Sequence, residues 1–450
     1  MRARKQIMPA LRDWLRPYYL KWLYFRIRGS NRPDYFRDCW TYPNYLLDAS
    51  IKKLLPPPGG EDDVLILPMT DWHTRIQRSQ HLARAFAAQG RRSFFLNLHL
   101  GREFKKIYSR KAQYRVGLIS PNVMELHVHL PREPVYHHRV LSATESRMIF
   151  EGIRQLLEVA DCKRLVQFIS FPLWIDVARL LRKEFGFPIV YDCHDLLGGF
   201  KSISNGIISA EREMMRISDA VVFSSEWLLE HTVANDPELR RKSVVVRNAV
   251  DSTRFGPMPE LTPSQKNPES QRTIGYAGAL DFWFDVEAVE LAALLHPEWQ
   301  FVLLGRIESE QAGSLARLPN VFFPGEVAHA DLHSHMVKFD AAIIPFLKIP
   351  LTMATNPIKV YEYFSCGLPV VTSRLPEMEQ FGGLVYIADD SEEFVLKLEM
   401  ALSETDPDLR NQRHALAQSE NWGSRCRQLR DLFAGLPRVA GEVLRRRSFP

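Results

Sequence analysis

The residues with the clearest chemistry lie in one run, Asn356-Pro357-Ile358-Lys359-Val360-Tyr361-Glu362-Tyr363-Phe364-Ser365-Cys366-Gly367-Leu368-Pro369-Val370-Val371. Pro357 suits the first turn of a helix, where its fixed φ fits and its missing N–H costs nothing. Lys359 and Glu362 stand three apart and so share a helical face. An ammonium there neutralises phosphate, and the helix N-terminus adds positive potential. The carboxylate one turn on accepts hydrogen bonds from paired ribose hydroxyls. Gly367 is placed to end the helix before a strand begins near Pro369. The plain alternative is an ordinary surface Lys–Glu pair.

Two further positions extend this reading. Gly278 closes Gly275-Tyr276-Ala277-Gly278, and a residue without a side chain lets a diphosphate approach backbone N–H groups. The same glycine also fits a tight strand-to-helix turn that binds nothing, and the run is not a full dinucleotide fingerprint. Pro188-Ile189-Val190-Tyr191 reads as a strand ending in Asp192-Cys193-His194-Asp195, and open α/β sheets place their sites at such strand ends. His194 is the candidate for the reaction centre, with Asp195 orienting it or touching an acceptor. Asp71, in the loop Asp71-Trp72-His73, is a general-base candidate or a loop cap. Arg78 is a candidate for an anionic acceptor or a solvent-facing helix residue. His329, His333 and His335 lack a clear carboxylate partner in sequence, so they read as a solvated cluster and no metal is required.

These residues need elements to position them. Apolar runs at 64–67, 93–96, 116–119, 123–128, 165–169, 188–191, 220–223 and 244–246 read as strands. Helical patterns at 75–89, 143–158, 174–184, 208–216 and 226–232 alternate with the later ones. Pro257 to Ser270, with four prolines among polar residues, marks a domain boundary. Beyond it strands at 272–277, 299–304, 320–323 and 341–345 repeat the alternation. The organisation expected is an extension over 1–60, an acceptor domain over 61–256 and a linker over 257–271. A donor domain over 272–420 and a helical segment with a basic tail over 421–450, crossing back to the first domain, complete it.

Composition narrows the function. The chain has 450 residues, suited to two domains, and its 46% hydrophobic content supports folded cores. Residues 1–50 hold ten Lys or Arg against four Asp, so the net +5 of the whole chain resides there. No nucleic-acid module is visible, which excludes that partner. Five scattered cysteines suggest neither a disulfide framework nor a zinc site and fit a reducing, cytoplasmic compartment. The N-terminal segment interleaves Trp14, Tyr18, Tyr19, Trp22 and Phe25 with Arg12, Arg16, Lys21 and Arg26. That mixture suits either peripheral contact with an anionic membrane surface or packing on the first domain.

In order and spacing these motifs resemble glycosyltransferase family 4, over roughly residues 62–435. The 188–195 run resembles the strand and loop that carry an active-site histidine. Asn248-Ala249-Val250-Asp251 with Arg254-Phe255 resembles the interdomain element, and 356–371 resembles the donor-binding helix. The resemblance implies an α/β GT-B fold, two Rossmann-like domains facing across a cleft, and retaining transfer of a sugar from a nucleotide-diphosphate sugar. No cofactor is required, and the basic aromatic N-terminus motivates a glycan or lipid-linked acceptor hydroxyl in bacterial surface polysaccharide biosynthesis. Asn356, Lys359, Glu362, Gly278 and Arg306 become donor-binding residues. Two departures stand out. Ala354 occupies the position of the first of the two family glutamates, and Leu280-Asp281-Phe282-Trp283-Phe284-Asp285 occupies the region of a familiar basic residue. Lys359 therefore carries more of the diphosphate, with Arg306 or Arg374 as secondary groups. A nucleotide-sugar epimerase and a non-catalytic assembly protein are the alternatives.

Overall fold

The computed structural model describes residues 43–72, 76–97, 114–131, 136–234, 236–255 and 270–437. The basic aromatic segment 1–42, His73, most of the Pro-rich linker and the basic tail lie outside the described residues. The chain divides into two compact units. One comprises residues 1–191, 202–219 and 436–450; the other comprises 192–201 and 220–435.

The first sheet has the strand order β1-β4-β5-β3-β2-β6-β7-β8-β9. Its strands are β1 (Asn44–Leu46), β2 (Asp63–Leu67), β3 (Ser93–Leu96), β4 (Tyr114–Ser120), β5 (Val123–Val128), β6 (Leu165–Ile169), β7 (Ile189–Cys193), β8 (Ala220–Phe223) and β9 (Ser243–Val245). The β5-β3-β2-β6-β7 run is parallel, while β4 pairs antiparallel with β5 and with β1. Every residue of β2, β3 and β6 is buried, as continuous apolar runs covered on both faces require. Helices α1 (Arg78–Ala88), α2 (Ala143–Val159), α3 (Ile175–Phe185) and α4 (Asn205–Ile217) alternate with these strands. The longest, α2, starts on a capping box: Glu145 N–H donates to Ser142 Oγ at 3.3 Å, and Ser142 N–H donates to Glu145 Oε2 at 2.7 Å.

Residues 44–53 differ from the reading that placed them in an N-terminal extension. Asn44 to Leu46 pair with Arg115 to Gly117, and Ile51, in the short helix that follows, is buried. An edge strand of three residues has little sequence signal of its own.

The second sheet is parallel throughout, in the order β12-β11-β10-β13-β14-β15. These are β10 (Thr273–Ala277), β11 (Gln300–Leu304), β12 (Val321–Gly325), β13 (Ala341–Ile344), β14 (Val370–Ser373) and β15 (Val385–Ala388). Helices α5 (Glu226–Val233), α6 (Val286–Leu295), α7 (Pro350–Met353), α8 (Ile358–Ser365), α9 (Ser391–Leu402), α10 (Pro407–Ser419) and α11 (Trp422–Ala434) belong to the same unit.

Polar bonds tie the segments after β8 and β9 to the rest of the second unit. Ser225 Oγ donates to the Ala354 carbonyl at 2.6 Å. Asn248 N–H and Nδ2 donate to Asn356 Oδ1 and its carbonyl at 2.8 and 2.6 Å. Glu377, 2% exposed, accepts from Glu226 N–H at 2.9 Å, Arg247 Nε at 2.8 Å and Asn356 Nδ2 at 3.0 Å. A buried carboxylate so fully paired is costly to disturb.

Candidate nucleotide-binding site

The strand ends of the second sheet build the site. Gly278 follows β10 with φ 153°, and Gly305 follows β11 with φ 145°, both in the region that favours glycine. The two backbones meet: a Cβ on Gly305 would stand 1.8 Å from the Gly278 carbonyl oxygen. A Cβ on Gly278 would stand 2.8 Å from Lys359 Nζ and 3.0 Å from Tyr276 Oη. The missing side chains thus leave room for a lysine head against the backbone turn.

Lys359 sits in the first turn of α8, with Pro357 at its N-cap rather than within the helix. Gly367, at φ 72°, follows the helix end as the spacing predicts. Lys359 Nζ donates to Tyr276 Oη at 3.1 Å and lies 4.4 and 4.6 Å from the ring centroids of Tyr276 and Phe346. Tyr276 Oη in turn donates to the Ala279 carbonyl at 2.8 Å, so one phenol pins the turn and steers the lysine. Burial pulls the Lys359 pKa down to about 7, and the charge of Glu362 offsets this only in part. An ammonium so desolvated gains from an arriving phosphate far more than one in water.

Glu362 lies on the same face, as its spacing predicts, and is 7% exposed. His329 Nε2 stands 3.6 Å from its Oε1. His329 and His333 both meet the Phe255 ring edge-on, and burial lowers the His333 pKa. These histidines are therefore partly packed rather than simply solvated. Among the described residues no group of three His, Cys, Asp or Glu is placed to hold a metal.

His194 follows β7 and belongs to the same unit as Lys359. Its Nδ1 is 3.1 Å from the Asp192 carbonyl oxygen, and its Nε2 is 3.7 Å from Asp195 Oδ2. An Nδ1–H donating to that carbonyl leaves Nε2 as the ring atom able to meet a hydroxyl. Consecutive serines register this loop against the end of α7, which leads into α8: Ser224 Oγ donates to the His194 carbonyl at 2.9 Å, and Ser225 Oγ donates to the Ala354 carbonyl.

The other sequence candidates are placed differently. Asn356 is 1% exposed, with its side chain bonded to Asn248, Tyr361 and Glu377, which makes it a brace of the segment leading into α8. Arg306 follows Gly305 and pairs with Glu308. Arg374 is held by Asp389 at 2.6 Å and Glu379 at 2.6 Å. Asp71 belongs to the first unit, is 5% exposed, and accepts Gln80 Nε2 at its carbonyl at 2.7 Å. Arg78 is buried at the start of α1 and does not face solvent. Sequence reasoning missed Tyr276, Phe346 and Glu377. The first was visible inside the glycine turn and the second directly after a strand end; nothing near Glu377 signals a site.

Residues 271–404 match the family model of glycosyl transferases group 1. A curated relative is "Putative teichuronic acid biosynthesis glycosyltransferase TuaH" of Bacillus subtilis (strain 168), 25% identical over 260 residues and 54% of this chain. The chain spans 65% of that relative's length. Sucrose-phosphate synthase from Thermosynechococcus elongatus superposes with a TM-score of 0.63 at 15% identity, over 83% of this chain and 98% of that one. Anabaena Alr3699/HepE in complex with UDP-glucose superposes with a TM-score of 0.61 at 16% identity, over 84% of this chain and 100% of that one.

Proposed function

We propose that this chain, related in sequence and in its two-domain α/β fold to the GT-B glycosyltransferases, transfers a sugar from a nucleoside-diphosphate sugar to a hydroxyl acceptor. The observation that carries the reading is the Lys359–Tyr276–Gly278 cradle, with Glu362 one turn away, inside the span that matches the family model. A desolvated cation suits a diphosphate leaving group, whose negative charge grows as the glycosidic bond breaks; the backbone N–H of Gly278 is already taken by the Leu304 carbonyl at 2.8 Å, so the lysine carries this role. Glu362 suits the ribose hydroxyls. His194 Nε2 suits a hydroxyl of the transferred sugar or of the acceptor, with Asp195 beside it.

The acceptor is a glycan or lipid-linked hydroxyl in surface polysaccharide biosynthesis, a setting supported by the relative named for teichuronic acid biosynthesis. Transfer retains the anomeric configuration, as the family resemblance implies. The enzyme works on the cytoplasmic side, with its basic aromatic N-terminus on the inner face of the membrane. No helix among the described residues is long and apolar enough to cross a membrane.

A panel of nucleotide sugars incubated with acceptor glycans and read by mass spectrometry tests the reaction. Acceptor-dependent product is expected, with unchanged yield in EDTA because Lys359 meets the diphosphate. A folded enzyme that isomerises donor without acceptor, or forms no product across the panel, overturns the reading.

A further inference from the structure

One pocket of the second unit is absorbed by none of these roles. Leu196, Gly198, Gly199, Ile349, Pro350 and Leu351 line a space of about 310 Å³, together with His231. That is roughly ten waters' share of liquid volume. Its wall begins two residues after His194 and continues on α7, which runs directly into the segment held by Ser225. The two halves are in tight contact, since a Cβ on Gly199 would stand 2.8 Å from Leu351 Cβ. His231 is exposed and stacks on Trp227 with centroids 4.6 Å apart.

We infer that this pocket takes an apolar segment of the acceptor, an alkyl or prenyl chain adjoining the sugar whose hydroxyl approaches His194. The inference rests on the proposed transfer. Its occupant follows from the lining: four aliphatic side chains and two glycines, with His231 as the one polar side chain, offer a mainly apolar wall without the set of polar partners that a sugar ring needs. Its place follows from continuity with the His194 loop, which Ser224 fixes at the His194 carbonyl.

The test uses the full chain and glucosides with methyl, butyl, hexyl and octyl groups, each below its micelle concentration, with affinity read by calorimetry. Affinity is expected to rise about three- to fourfold for each methylene buried. Ile349→Asp should flatten the series, and Ile349→Ala should weaken it with less risk to folding. UDP affinity, measured on the same samples, should be unchanged in both variants. A wild-type series without chain-length dependence overturns the inference, as does one that both variants leave intact. Loss of the series only together with thermal stability in both variants also counts against it. Failure of UDP and of every nucleotide sugar to bind, with the series intact, instead strikes the transfer reading and leaves an apolar-chain site.

Discussion

Lys359 combines a role in binding with a cost in folding. Its folded pKa of about 7 lies below the ~10.4 of an unfolded lysine. Between those values the unfolded chain holds more protons, so the fold gains stability as pH rises from 7 towards 10 and bears the full cost below 7. Lys359→Met should therefore melt higher than wild type at pH 7, with the gap closing towards pH 10. The same variant should lose UDP affinity by about tenfold or more, the worth of a charge-assisted hydrogen bond. A bound diphosphate favours the ammonium, so binding near pH 7 to 8 should take up a proton, seen by calorimetry in buffers of different ionisation heat. Wild-type affinity without proton uptake removes Lys359 from the site. Glu362→Ala tests the ribose contact separately: wild type should prefer UDP to its 2′-deoxy analogue, and the variant should not. An unchanged preference rejects that role.

At the scale of elements, the glycine pair after β10 and β11 separates folding from binding. Gly305→Ala drives a Cβ into the Gly278 carbonyl at 1.8 Å. Backbone has to move, and a loss of about 3 kcal/mol or more in denaturant unfolding is expected. Gly278→Ala meets the movable end of Lys359 and a phenol oxygen instead, so it should fold with a smaller loss yet bind UDP poorly. Equal destabilisation by both substitutions would contradict this assignment. The strand ends were legible because buried parallel strands are uninterrupted apolar runs, as in Leu65, Ile66 and Leu67. The helix carrying Lys359 and Glu362 was legible because Gly367 marks its end. The brace through Glu377 was not, because its partners Glu226, Arg247 and Asn356 are distant in sequence and meet only in the folded unit. For the same reason Asn356, read as a donor ligand, proves to be occupied by protein groups.

Across the whole molecule the charge is uneven, and this sets the terms for membrane contact. Residues 1–50 carry ten basic and four acidic side chains, so the other residues together are nearly neutral. Attraction to an anionic surface must then come from that segment, at about 1 kcal/mol for each Lys or Arg near the lipid. The aromatic residues among them add interfacial affinity that salt does not screen. The place to cut follows from the fold: residues 44–46 pair with β4 and Leu47 is buried, so removing residues 1–50 would damage the sheet, whereas removing 1–42 spares both. Full-length protein is expected to sediment with phosphatidylglycerol vesicles at low salt and weakly with phosphatidylcholine vesicles. Raising salt, which shortens the screening length to about 3 Å at 1 M, should release most of it. The chain lacking residues 1–42 should stay in the supernatant with its UDP affinity intact. Equal binding to both lipids, unchanged by the truncation, would place the enzyme away from the membrane and leave its acceptor to arrive from solution.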